Sequence, residues 1–240
     1  MARCGAERMV SGLAVHSHVQ WPKTYRIIRS IYPPIDLFED IADPRDWEAL
    51  VAVEAKTNPR IRYEIGDLGN VPPIRRVSGP GASYVMAPFV HCSTGRPGRF
   101  SDGSYGIYYA GDSEEVAVAE TIHHHQKFMS STPQPPGWTS DFRVLVGSVD
   151  RALDDVNAVP DVLHPHDYTA SQVEGRGLRA AGSDGLLWNS VRKPGQRCIG
   201  IFWPDAITIP VQGRHYCYHW NGVRVDFVRQ YDTGAVLAVT

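Results

Sequence analysis

Glu120 is a carboxylate set in the apolar run Val116-Ala-Val-Ala-Glu-Thr-Ile122. Burying an unpaired carboxylate costs several kcal/mol or forces its protonation, so a partner or a ligand must compensate. Helical spacing puts Val116, Glu120, His124 and Phe128 on one stripe, so His124 is expected to hydrogen-bond Glu120. A purely structural Glu–His pair is the competing reading. Arg99 sits beside Phe100 in the loop "GRPGRFSDGSYG", and its guanidinium fork suits a phosphate or carboxylate. Ser190 and Arg192 lie at a strand end before the turn Lys193-Pro194-Gly195, and Arg75 and Arg76 open another apolar segment. None of these is specific alone, and the dinucleotide-fingerprint, P-loop and nucleophile-elbow patterns are all missing. His123, His124 and His125 point about 100° apart on a helix and cannot converge on one ion. "HPH" at 164–166 and "CYH" at 217–219 lack ligand spacing, so no metal is expected.

The elements that must position these residues read as α+β. In "GDSEEVAVAETIHHHQKFM" Asp112 is the expected N-cap, Glu115 closes a capping box, and the helix runs to about Met129. "IADPRDWEALVAVEAKT" offers Asp43 as N-cap and Pro44 at the first helical position, and Asn58-Pro59 ends that helix. Short strands are expected at "PIRRVS", "SYVMAPFVH", "YGIYYAG", "FRVLVGSV", "DGLLWNS", "RCIGIFWP" and "AITIP". A helix is expected near Thr169–Arg179. Asn221-Gly222 marks a hairpin between "HYCYHW" and "VRVDFVR".

The chain has 240 residues, 42% of them hydrophobic, enough for one core. A net charge of -2 gives no basic field for nucleic acid. No apolar run approaches a membrane span. Four cysteines without CxxC spacing fit reduced thiols and a cytoplasmic protein. Three segments are expected: a poorly ordered leader at 1–35, a helical extension at 36–70, and the main domain at 71–240.

Taken in order, "RRV" with Arg76, "GRFSDGSYGIYYAGDSEEVAVAETIHH" and "WNSVR" resemble the RES domain, over about Ile74 to Asp226. "PPIDLFEDIADP" and "TNPR" resemble its ParT-like branch. The resemblance implies an ADP-ribosyltransferase-like fold, a split β-core with helices around an NAD+ cleft. It implies a toxin of a toxin–antitoxin pair that cleaves NAD+ and transfers ADP-ribose to a protein acceptor. The alternative is a glycohydrolase or phosphorylase using water or phosphate. Carried over, Arg76 and Arg99 would hold the NAD+ phosphates or ribose, and Tyr109 would stack on nicotinamide. Glu120 would be the catalytic carboxylate with His124 as its partner, and Ser190 would line the nicotinamide end. The implied partner is an antitoxin of the Xre/MbcA/ParS type in a hetero-oligomeric complex, covering the cleft around Arg99 and Glu120, with an apolar docking face expected from aromatics such as Tyr84, Tyr105 or Trp188.

Overall fold

In a computed structural model, residues 14–39, 43–58 and 60–239 are described. The first surprise is at the N-terminus. Val15–Arg29, inside the segment expected to be a leader, forms the 15-residue strand β1. It pairs antiparallel with β3 (Trp138–Asp155) from Val15↔Asp155 to Arg29↔Phe142. The expectation failed because a register shift between Trp21 and Thr24 breaks the alternation. Pro22 sits at that bulge, the one kind of interior site where its missing N–H is tolerated. Residues 1–13 lie outside the described residues.

Four short helices follow: α1 (Asp36–Glu39), α2 (Trp47–Glu54), α3 (Ile61–Ile65) and α4 (Ala82–Val90), with 3-10 turns at Leu68–Asn70 and Pro73–Arg75. The two strands expected at 73–78 and 83–91 are therefore a 3-10 turn and a helix. The reason for α4 is tertiary. The Glu39 carboxylate accepts hydrogen bonds from the N–H groups of Gly81 (2.6 Å) and Ser83 (3.0 Å), capping α4 from another element. Gly81 supplies the left-handed conformation at φ 85° just before it. Ala82, Val85, Met86, Phe89 and Val90 are all buried, so the helix is held by packing.

Then come β2 (Tyr108–Gly111), α5 (Glu114–Met129), β3, α6 (Thr169–Ala180), β4 (Gly185–Asn189), β5 (Arg197–Ile201), β6 (Val211–Trp220), β7 (Val225–Gln230) and β8 (Val236–Ala238). "AITIP" forms no strand beyond a 3-10 turn at Pro204–Ala206. The hairpin at Asn221-Gly222 is real, but its loop spans Asn221–Arg224. Asn221 Oδ1 accepts from the N–H groups of Val223 and Arg224 at 2.9 Å.

The eight strands run in the order β1-β2-β5-β4-β3-β6-β7-β8, with β1 also paired to β3. The long β3 explains this. Its first half lies between β1 and β6, and its last two residues pair in parallel with Leu186 and Leu187 of β4. The sheet thus splits into two wings hinged on the β1–β3 pair, the α+β class expected. Helices α1, α2 and α4 cover one apolar cluster with Phe38, Trp47 and Met86; α5 lies on another with Ile122, Phe142 and Tyr218. No helix among the described residues is long and apolar enough to cross a membrane.

Candidate active site

Helix α5 begins one residue later than the sequence suggests. Ser113 is the N-cap, its hydroxyl accepting from Val116 N–H at 3.2 Å. Asp112 is drawn off by the sheet instead: its carboxylate accepts from Arg197 N–H at 3.0 Å. The helix then delivers Val116, Glu120 and His124, one turn apart, to a pocket of about 310 Å³. Strand β2 contributes Tyr109, β4 Trp188, β5 Cys198, and the loop before β2 contributes Arg99.

Ser190 follows β4 and is buried. Its hydroxyl donates to Glu120 Oε1 at 2.7 Å. Ser190 Oγ in turn accepts from the N–H groups of Arg192 and Lys193 at 3.1 Å, so the turn fixes the hydroxyl that fixes the carboxylate. Cys198 Sγ stands 3.9 Å from the same Glu120 oxygen. Glu120 is only half-buried, not enclosed by an apolar helix, because α5 leaves one face to the pocket.

Arg99 is buried, and its guanidinium donates to the carbonyls of His164 (2.8 Å) and Val162 (3.4 Å) and lies 4.6 Å from the Tyr168 ring. Burial lowers its pKa. No carboxylate pairs with it among the described residues. The loop carrying it is pinned from both sides. Ser171 Oγ donates to Arg99 O at 2.6 Å, Gln172 Nε2 to Gly98 O at 2.9 Å, and Phe100 N–H donates to the Tyr109 hydroxyl at 3.1 Å. A Cβ on Gly175 of α6 would run into the Phe100 carbonyl. Gly175→Ala is therefore expected to push the Arg99 loop off α6 and cost about 1–3 kcal/mol, read as a lower Tm. An unchanged Tm would mean the loop yields freely.

Of the residues expected at the site, Arg99, Tyr109, Glu120 and His124 line one pocket, and Ser190 reaches it through Glu120. Arg76 does not. Its guanidinium donates to Leu68 O (3.1 Å), Val71 O (3.0 Å), Pro44 O (2.9 Å) and the Glu48 carboxylate (2.8 Å), tying α2 to the turns before α4. Arg75 is also spent, on Asp184 (2.5 Å) and Asp205 (2.7 Å). No hydrogen bond joins His124 to Glu120, whose carboxylate turns to Ser190 instead. Tyr105 and Trp188, expected on an exposed docking face, are buried.

The second arginine of the pocket comes from a place the sequence reading passed over. Arg26 of β1 lines it with Tyr25 and Ile27. It donates to Tyr109 O at 3.0 Å, stands 4.7 Å from the Tyr108 ring, and is lowered in pKa by burial. The available signal was a charged residue inside the β-branched run Thr24–Ile28. Arg192 does not line the pocket; its guanidinium lies 3.0 Å from His123 Nε2 and is bonded to Pro165 O.

The three histidines diverge. His123 meets Arg192, His124 faces the pocket, and His125 enters the aromatic cluster of Phe142 and Tyr218. Burial, and for the first two the charge of Arg192, pushes each down to about 4. All three are neutral at pH 7. Because the folded values are depressed, the unfolded chain takes protons first as pH falls from the ordinary value of 6.5. Stability should be full above pH 7 and decline through pH 6 to 4. His125, buried at 6% exposure, carries more of this than His124, which opens to solvent at the pocket mouth. Thermal unfolding should show Tm falling over this range, less steeply in His125→Leu; a flat profile would contradict it.

The RES domain family model matches residues 73–221, and the chain belongs to that family. Tyr25 and Arg26 lie outside the matched residues, yet they complete the pocket. The chain is 29% identical over 212 residues to an uncharacterized protein, y4oC, of Sinorhizobium fredii, covering 87% of each. Among solved structures it is similar to a chain of the M. tuberculosis MbcT–MbcA toxin–antitoxin complex. The TM-score is 0.43 and the identity 11%, with 96% of this chain and 90% of that one covered.

Proposed function

We propose that this protein is the toxin of a toxin–antitoxin pair, cleaving NAD+ and transferring ADP-ribose to a protein acceptor. The observation that carries the reading is one pocket in which a carboxylate, Glu120, is aimed by Ser190 and accompanied by buried Arg99 and half-buried Arg26, neither of which has a carboxylate partner among the described residues. Those arginines suit a diphosphate. Glu120 suits the positive charge that builds on a ribose as its bond to cationic nicotinamide breaks. The C1′–N1 bond breaks and its electron pair leaves on nicotinamide. The ribosyl cation is held against Glu120 until the acceptor nucleophile supplies a new pair to C1′ and loses its proton. A fixed carboxylate in a partly dry pocket needs no reorganisation as that charge appears. Tyr109, braced against Trp188 with ring centroids 6.1 Å apart, offers its ring to nicotinamide. His124, neutral at pH 7, can accept from a ribose hydroxyl. NAD+ is a substrate here, and no metal takes part in the proposed steps.

Arg26 and Arg99, without a carboxylate partner among the described residues, also suit an antitoxin that blocks the pocket with an acidic segment, in a hetero-oligomeric complex. The test is expression in bacteria, alone and with an adjacent Xre/MbcA/ParS-type gene, and incubation of lysate with adenine-labelled NAD+. Growth arrest relieved by the neighbour, with labelled protein bands, is expected. Labelled ADP-ribose or its 1″-phosphate without protein bands would replace the protein acceptor with water or phosphate. Normal growth of cells making the lone wild-type protein would overturn the toxin reading.

A further inference from the structure

Helix α5 continues past the pocket. Glu120 and His124 line it, and the next turn along the same face carries Lys127 and Phe128, which lie outside it. Both are exposed, Phe128 at 53%. One turn back on α5, His123 Nε2 lies 3.0 Å from the Arg192 guanidinium. That guanidinium is also bonded to Pro165 O, which brings the segment His164–His166 to the same rim. Exposed Lys193 follows Arg192 in the turn. None of Lys127, Arg192 and Lys193 has a carboxylate partner among the described residues. The Arg192 Nε is buried without a hydrogen-bond partner. The C-terminal dipole of α5 favours Lys127 there but supplies no counter-ion. Asp167, next to His166, is turned to the start of α6, where it accepts from Thr169 N–H at 2.9 Å. Burial, and with it the charges of Arg192 and Lys127, holds His123 and His124 down at about 4. The whole chain carries a net charge of -2, so the rim is a local concentration of positive charge and not part of a general field.

Resting on the protein-acceptor reading above, we propose that this rim, outside the NAD+ pocket, docks the acceptor protein and selects an acidic segment of it. Carboxylates of that segment pair with Lys127, Arg192 and Lys193, and an apolar side chain covers Phe128. The geometry of α5 sets where those carboxylates lie. The acceptor nucleophile has to reach the ribose held at Glu120. Lys127 is two turns further along the helix, about 10 Å. An extended chain covers that distance in about three residues. The acidic residues therefore fall about three positions from the modified side chain. A protein segment suits the rim better than single-stranded nucleic acid does. Nucleic acid needs several stacking rings along a basic groove, and the rim carries one exposed phenyl ring, Phe128.

The test compares the full wild-type chain with Lys127→Glu and Lys127→Arg, each incubated with bacterial lysate and adenine-labelled NAD+. Labelling of lysate proteins should fall about three- to tenfold in Lys127→Glu, where attraction becomes repulsion, and stay near wild type in Lys127→Arg. NAD+ affinity, measured by calorimetry with Glu120→Gln added to each, should agree within about twofold, because an exposed charge outside the pocket is screened. A ten-residue glutamate peptide should suppress wild-type labelling, and an oligothymidylate of equal charge should suppress it less. Mass mapping of the labelled proteins should find carboxylates about three positions from the modified residues. Equal labelling by wild type and Lys127→Glu would overturn the inference and leave the transfer reading standing; a variant that labels normally but escapes the antitoxin would give the rim to the antitoxin instead. Suppression by oligothymidylate alone would overturn it in favour of nucleic acid. A loss of NAD+ affinity in Lys127→Glu that matches its loss of labelling would also overturn it, because Lys127 would then act through the pocket. Cleavage of NAD+ by the wild type with no labelled protein would overturn the protein-acceptor reading and this inference together.

Discussion

Glu120→Gln is expected to keep the wild-type Tm and to release nicotinamide from NAD+ about 100- to 1000-fold more slowly, a loss of about 2.7–4 kcal/mol of charge stabilisation. Glutamine has nearly the same shape, and its carbonyl can still accept the Ser190 hydroxyl, so the 2.7 Å contact that orients the side chain survives. What is lost is the negative charge facing the reacting ribose. Ser190→Ala should act in the same direction but less strongly, because it removes the orienting bond and leaves the charge. Wild-type turnover in Glu120→Gln would remove Glu120 from the chemistry.

Arg99→Ala is expected to weaken NAD+ binding by at least tenfold, with Arg99→Lys in between. Two roles are lost together in the alanine variant. One is the charge facing the pocket. The other is the tie from the guanidinium to His164 O at 2.8 Å, which holds the loop against the segment leading to α6. Lysine keeps a positive charge but not the planar fork that bonds a carbonyl and a phosphate at once. Burial makes the position sensitive, since a charge already stripped of water interacts more strongly with an incoming anion. Calorimetry showing equal NAD+ affinity in wild type, Ala and Lys would place the phosphates elsewhere.

The parts of the site carried by one helix and its neighbours could be read from the sequence. Stripe spacing put Glu120 and His124 on one helix face, which depends on local geometry alone, whereas Arg99 was assigned to the site by the resemblance to the RES domain. The parts that failed depend on contacts far apart in the chain. Arg76 looks like a site arginine beside Arg75, but Glu48, 28 residues away, claims it. Segment 82–90 has β-branched and aromatic residues like a strand, yet Glu39 caps it as a helix from 42 residues upstream. The His124–Glu120 pair was permitted by spacing, and Ser190, 70 residues on, outbid it for the carboxylate. Arg26 was hidden by the bulge at Pro22–Lys23, which disguised β1 as a leader and with it one wall of the pocket.

The most direct test of the account is a proton NMR time course of NAD+ mixed with the purified wild-type chain and, separately, with Glu120→Gln. Free nicotinamide should accumulate with the wild type as the NAD+ nicotinamide signals disappear, and stay at background with Glu120→Gln. An adenine signal that persists while nicotinamide is released fixes cleavage at the ribosyl–nicotinamide bond. Intact NAD+ after prolonged incubation with folded wild-type protein, both alone and with a protein extract to supply an acceptor, would contradict it.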